Sequence, residues 1–290
     1  MEFWGKMVIS GLMNGSVYGL VAIGFVLIYK SSAVLNFAQG YMVLLGAYIF
    51  WTFNGALHFG VIVSILLTIP SSFIMGILIE RLTLRPLIGQ PLITMITVTI
   101  FLSLVIEGAV SMIWGTYPLQ QLTLFSRETV KIGQFVLTTE NLYAFGLAFG
   151  SMVALILFFR YSQLGLAMKG VAEGHQTMQS MGISVKRIMT ISWGFAGIAA
   201  TLGGVILGGT IGFQLTLSHI GLLAIPAAFI GGLESPEGAI LGGLLMGLIE
   251  SIVSGYVGMA AGVPATFIIL ILVMLVRPYG FFGLERIERV

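Results

Sequence analysis

The feature that most constrains this chain is an unbroken apolar run at residues 7–29, which recurs in kind until residue 276. About twenty apolar residues at 1.5 Å rise each match the ~30 Å hydrocarbon thickness of a bilayer. The first run also exceeds the roughly 7 to 15 residues of a signal-peptide core. Further runs fall at residues 34–53, 59–79, 91–114, 141–159, 188–213, 217–233, 237–255 and 262–276. With 58% hydrophobic and only 8% charged residues, against about 25% charged in globular domains, 290 residues cannot form a soluble core. The expectation is an all-α polytopic membrane protein, a single transmembrane domain over residues 1–290 with nine crossings. The pairs Gly203-Gly204, Gly208-Gly209, Gly231-Gly232 and Gly242-Gly243 imply close packing or broken helices, which widens the count to eight to ten. Gly11, Gly15, Gly19 and Gly24 make a small-residue stripe on the first span, which lets another helix approach closely. Pro70, inside the third run, predicts a kink.

Chemistry-bearing residues are scarce. There is no cysteine and no aspartate, and His58, His175 and His219 lack metal-ligand spacing. No lysine follows a glycine-rich phosphate-binding pattern and no Gly-x-Ser-x-Gly occurs, so neither catalytic residues nor a resident cofactor is expected. The formal charge of +2 is small and its basic residues are scattered, which argues against nucleic acid as a partner. In a nine-span arrangement Lys30, Arg81, Arg85, Arg160, Lys169, Lys186, Arg187, Arg277, Arg286 and Arg289 share one side, with Arg127 and Lys131 as exceptions. By the positive-inside rule that side, and the C-terminus, is cytoplasmic.

One long segment, residues 160–187, is polar and amphipathic. On a helix, Lys169, Glu173, Gln176 and Ser180 share a face, while Leu164, Met168, Val171, Met178 and Met181 fall mostly opposite. Lys169 and Glu173 can pair for about 0.2 to 0.5 kcal/mol. Gly165, Gly170, Gly174 and Gly182 weaken the helix by roughly 1 kcal/mol each, so a partner surface must order it. The apolar face of Met168, Val171 and Met178 is then the one to enter a partner's groove; the alternative is a connecting loop lying on its own bundle.

Within the spans, Glu107 and Glu250 are costly in hydrocarbon, roughly 2.5 to 3.5 kcal/mol at the bilayer centre, and should not face lipid. They either line the outer half of a pathway, where a substrate ammonium would be attracted, or hydrogen-bond to neighbouring helices. Asn14, Tyr18, Asn36, Gln39, Thr97 and Thr99 are likewise candidates for a path or for interhelical bonds.

The order of local motifs resembles the permease subunits of branched-chain amino-acid ABC importers across nearly the whole chain. The residues that carry the likeness begin with Asn14-Gly15, Tyr18-Gly19-Leu20, Leu27-Ile28-Tyr29 and Asn36-Phe37-Ala38-Gln39-Gly40, where the family usually has His in place of Gln39. Arg85-Pro86-Leu87 and the stretch from Gly165-Leu166-Ala167 to Met181-Gly182-Ile183 follow, the latter with Lys169-Gly170 where Arg-Ala is more usual. Gly231-Gly232-Leu233 with Gly238-Ala239, and Arg277-Pro278-Tyr279-Gly280-Phe281-Phe282-Gly283, complete it, whereas Glu234 and Glu237 depart from the small residues expected there. The resemblance implies a bacterial-type inner-membrane permease importing small polar solutes, branched-chain amino acids first, by alternating access. It implies a second permease subunit (similar or identical), two cytoplasmic ATPases holding ATP and Mg, and an external solute-binding protein. Met168, Lys169, Val171, Ala172, Glu173, Met178, Gly182 and Ile183 would form the ATPase-coupling segment. An ion-coupled secondary carrier or channel is the alternative.

Overall fold

A computed structural model describes residues 2–119, 122, 124, 128–132 and 135–283. Arg127, Arg286 and Arg289, which entered the orientation argument, lie outside them. Seven helices among the described residues are long and apolar enough to cross a membrane. They are α1 (Glu2–Ser32), α3 (Val61–Ile79), α4 (Leu92–Trp114), α5 (Thr139–Tyr161), α8 (Val185–Ile211), α10 (Pro236–Tyr256) and α11 (Met259–Val276). The remaining helices are α2 (Gln39–Trp51), α6 (Gln163–Glu173), α7 (His175–Ser180) and α9 (Ile220–Gly231). Two short strands, β1 (Thr129–Ile132) and β2 (Phe135–Thr138), pair antiparallel between α4 and α5, with Thr129 opposite Thr138.

Two of the nine apolar runs form shorter helices joined to turns of other types. α2 has 13 residues and α9 has 12, about 20 Å and 18 Å of α-helix, and each is lengthened by an adjoining helical turn. Residues 34–38 approach α2 in extended and turn conformation, and α2 runs on into a π turn at Thr52–Ala56. α9 is preceded by a 3-10 turn at Leu215–His219. The glycine-rich runs mark close packing rather than these breaks, since Gly203-Gly204 and Gly208-Gly209 lie inside unbroken α8, Gly242-Gly243 inside α10, and Gly231-Gly232 at the end of α9. α2 and α9 meet tip to tip: a Cβ on Gly40 would collide with the Ser218 carbonyl, and one on Gly221 with the backbone of Gly40. Pro70 sits inside α3 without ending it.

The core is built on α1, whose residues Leu20 to Ile28 are almost wholly buried. α1 packs most extensively on α10 and next on α8. The stripe Gly11, Gly15 and Gly19 meets Gly243 and Gly247 of α10, so that a Cβ on Gly15 would stand 2.6 Å from the Gly243 carbonyl oxygen. With lipid as apolar as leucine, such close approach of backbones is what holds two membrane helices together. By contrast α4 and α11 are mostly exposed, and α10 has an exposed face at Leu241 and Leu245.

At the other end of α9, two motifs converge. The backbone N–H of Phe281 donates to the Ile230 carbonyl at 2.9 Å and that of Phe282 to the Gly231 carbonyl at 3.2 Å. Gly232 and Gly280, with φ of +102° and +75°, take the left-handed conformations this tie requires. Gly231-Gly232 and the Arg277–Gly283 tail are thus two halves of one backbone clasp.

Candidate functional site: a coupling face and a membrane-embedded cavity

The amphipathic segment folds as two helices separated at Gly174 rather than one. Ser162 caps α6 by accepting from the Gly165 N–H at 3.1 Å, and Ser184 caps α8 by accepting from the Arg187 N–H at 3.4 Å. α6 rests on α1, α5 and α8. Met168, Val171 and Met178 are 2%, 0% and 8% exposed. The apolar face expected to enter a partner's groove is therefore turned into the chain's own bundle, a correction with a simple cause. Apolar surface beside an apolar core is buried first by the nearest one. What points outward is Lys169, Glu173 and Gln176, with Leu166 at 72% and Met181 at 70% exposure. Ala172 and Ile183 are half-buried at the edge, and Gly182 turns the chain with φ of +79°.

Lys169 and Glu173 do not pair with each other: the ion pair found among the described residues is Arg85 with Glu80. Both instead border Lys30, together with Glu234 and Glu237, and the Lys30 ammonium donates to the Glu234 carbonyl oxygen at 3.0 Å. The two glutamates that depart from the family pattern thus surround the cation at the foot of α1.

Glu80, absent from the sequence candidates, is fully buried. It opens a π turn at Glu80–Leu84; its Oε2 accepts from Thr190 Oγ1 of α8 at 2.8 Å, and its Oε1 lies 4.0 Å from Arg85 Nε. The signal was an acid followed five residues later by Arg85 at the foot of a span. The partner Thr190 stands 110 residues away, beyond any local pattern.

The pathway candidates separate into groups. Asn36 and Gln39 are fully buried and mutually satisfied. Asn36 Oδ1 accepts from the Ala38 N–H at 3.1 Å, Asn36 Nδ2 donates to Gln39 Oε1 at 3.3 Å, and Gln39 Nε2 donates to the Ala196 carbonyl at 3.3 Å. Thr99 Oγ1 accepts from the Phe37 N–H at 3.3 Å. These three side chains hold the entry to α2 against α4 and α8. Thr97 bonds its own helix at the Ile93 carbonyl and, like Asn14, is exposed, apart from the others.

Tyr18 joins α1 to α10 by donating to Glu250 Oε2 at 2.5 Å. Tyr18→Phe leaves that half-buried carboxylate without its donor, which typically costs about 1–3 kcal/mol. A measurable loss of thermal stability in detergent is expected. Glu250→Gln keeps an acceptor for Tyr18 and should unfold at nearly the wild-type temperature.

Glu107 lies elsewhere. It is half-buried on α4 and stands beside Tyr41 at the start of α2. Tyr41 in turn lines a cavity of about 320 Å³ at the meeting of the two short helices, with Ser103, Ser218, His219 and Gly221 among its walls and Phe37, Ile100 and Leu222 at its rim. Neighbouring it is an apolar groove lined by Phe229, Leu270 and Met274. Tyr41, Ser103, Ser218 and His219 had no place among the sequence candidates, because only the tip-to-tip meeting of α2 and α9 brings them together.

Set beside known proteins, the chain matches the family model for the branched-chain amino acid transport system permease component over residues 7–277. It is 29% identical to the high-affinity branched-chain amino acid transport system permease protein LivH of Escherichia coli, over 98% of this chain and 97% of the relative. Identity to the permease protein BraD of Pseudomonas aeruginosa is 30%, again over 98% and 97%. A probable LivH of Methanocaldococcus jannaschii is 28% identical over 97% and 93%. No solved structure matches the chain. Because the match runs from within α1 to just past the end of α11, taking in the short helices and the amphipathic segment alike, this chain belongs to the family of branched-chain amino acid transport permease components.

Proposed function

We propose that the protein is one transmembrane subunit of an ATP-binding-cassette importer that carries branched-chain amino acids into the cytoplasm. The observation that supports it most is the family match across residues 7–277, with relatives named as branched-chain amino acid permeases over nearly the full chain. Residues 1–290 act as a single permease domain in the inner membrane, with a cytoplasmic C-terminus. The chain transports and does not hydrolyse: with no phosphate-binding lysine in its sequence, ATP and Mg belong to two cytoplasmic ATPases. A second permease subunit, similar or identical, completes the pathway, and an external solute-binding protein delivers the ligand.

In this assembly the ATPases dock on the outward face of α6 and α7, through Leu166, Lys169, Glu173 and Met181. Met168, Val171 and Met178 transmit the motion inward, because they are the side chains that anchor those helices in the bundle. Closure of the ATPases would swing the two permease bundles as rigid bodies, opening the path to each side in turn.

Topology and copurification test this reading. Tags near Gly174 should be reached only from the cytoplasm and tags near Gly258 only from outside, and a tagged permease should bring two ATPases with it. Labelling of Gly174 from outside would overturn the orientation and the docking face together.

A further inference from the structure

The cavity where α2 and α9 meet carries a second conclusion, which rests on the permease reading above. We infer that it is a membrane-embedded subsite for the zwitterionic head of an amino acid, with Glu107 as the counter-charge to the ligand's ammonium.

Four observations lead there. Ile100 and Ser103 line the cavity, and Glu107 follows them at helical spacing on the same face of α4. Glu107 adjoins Tyr41, itself a wall of the cavity. Tyr41 hydrogen-bonds to Glu107, and among the described residues no basic side chain lies within 4.0 Å of it, so this carboxylate inside a membrane span has a donor but no counter-charge. Such a group is expensive unless a cation or water meets it. Ser218 adjoins Tyr41 and donates its hydroxyl to the Leu215 carbonyl at 2.8 Å, so the further donor in the lining is the imidazole of His219, placed at the break between a 3-10 turn and α9. The site therefore combines an acid that attracts positive charge, an imidazole that can donate, and an apolar lining at Phe37 and Leu222. That is the complement of an α-amino acid with an aliphatic side chain.

Position and size agree with this. Ser103 lies near the middle of α4 (Leu92–Trp114), and transporter sites form near the bilayer midplane where helices are discontinuous. A volume of about 320 Å³ falls in the ~300–1,000 Å³ range of small-molecule sites. The pair Tyr18 and Glu250 has no comparable claim, since neither residue lines this cavity.

The chain contains no cysteine, so a single introduced thiol is the only one it carries. Leu222→Cys places it at the rim. In proteoliposomes holding the whole transporter, L-leucine should slow methanethiosulfonate labelling of that thiol at least fivefold, while 4-methylpentanoate, which lacks the ammonium, should not. Adding Glu107→Gln should abolish protection by leucine and leave the ligand-free labelling rate within about twofold. Equal protection by both compounds, no protection by either, or protection that survives Glu107→Gln would overturn the assignment. ATP-driven leucine uptake by the same Leu222→Cys vesicles and by wild type separates the two claims. Uptake without protection sinks the subsite alone, and wild-type vesicles that take up no leucine sink the permease reading as well.

Discussion

Gly247→Ala is expected to reduce the amount of folded protein in the membrane at least tenfold, although it adds one methyl group to a helix. A Cβ there would collide with the backbone of Gly11 and Gly15 on α1, and backbone cannot rotate away as a side chain can. Overpacking by a single carbon against yielding neighbours costs about 1–3 kcal/mol. Here the helices themselves must part along the most extensive contact in the molecule, that between α1 and α10. The control is Gly146→Ala on α5, where a new Cβ meets nothing within 4 Å. Alanine is the better helix former by roughly 1 kcal/mol, so that variant should accumulate at or above the wild-type level. Fluorescence size-exclusion profiles of the two variants decide the matter. Indistinguishable profiles would mean that α1 and α10 do not depend on close approach.

The second large effect concerns α6 and α7, the proposed ATPase platform, and it divides the two faces. Val171→Asp puts a carboxylate into a fully buried position among apolar residues. An unpaired buried charge costs several kcal/mol, enough to shift the opening of α6 and α7 from the bundle on the order of a hundredfold or more. Proteolysis at the Gly174 break should accelerate sharply, and the ATPases should be lost because their platform is loose. Leu166→Asp, on the exposed face, should also release the ATPases but leave proteolysis unchanged. If Leu166→Asp keeps both ATPases while Val171→Asp loses them without any rise in proteolysis, the docking face is the buried one after all.

Much of this architecture was legible in the residues for one physical reason. A bilayer demands about twenty apolar residues per span, and that demand leaves a mark no soluble fold needs. The glycine stripe on α1 was legible on the same grounds, but its partner was not. Gly243 and Gly247 lie more than two hundred residues away, and no periodicity relates them to Gly15. Amphipathicity marked the segment at residues 160–187 but not what its apolar face packs on, because a hydrophobic stripe records that burial occurs without recording against what. Pattern also failed at α2 and α9. An apolar run looks the same whether it forms one regular helix or a short helix joined to turns, and the meeting of Gly40 with Gly221 is visible only in the fold. Glu107 and Glu250 looked equivalent in sequence, and each meets a tyrosine in the fold; what separates them is that the tyrosine beside Glu107 lines a cavity.

The most direct test of the account is uptake of labelled leucine into proteoliposomes containing this chain with its partner permease and ATPases. The vesicles are supplied with external binding protein and with ATP inside, and carry no ion gradient. Accumulation is predicted to require both ATP and the binding protein, and to persist when ionophores collapse any residual gradient. Accumulation by this chain alone on a proton or sodium gradient, indifferent to ATP, would contradict the account and identify an ion-coupled carrier instead.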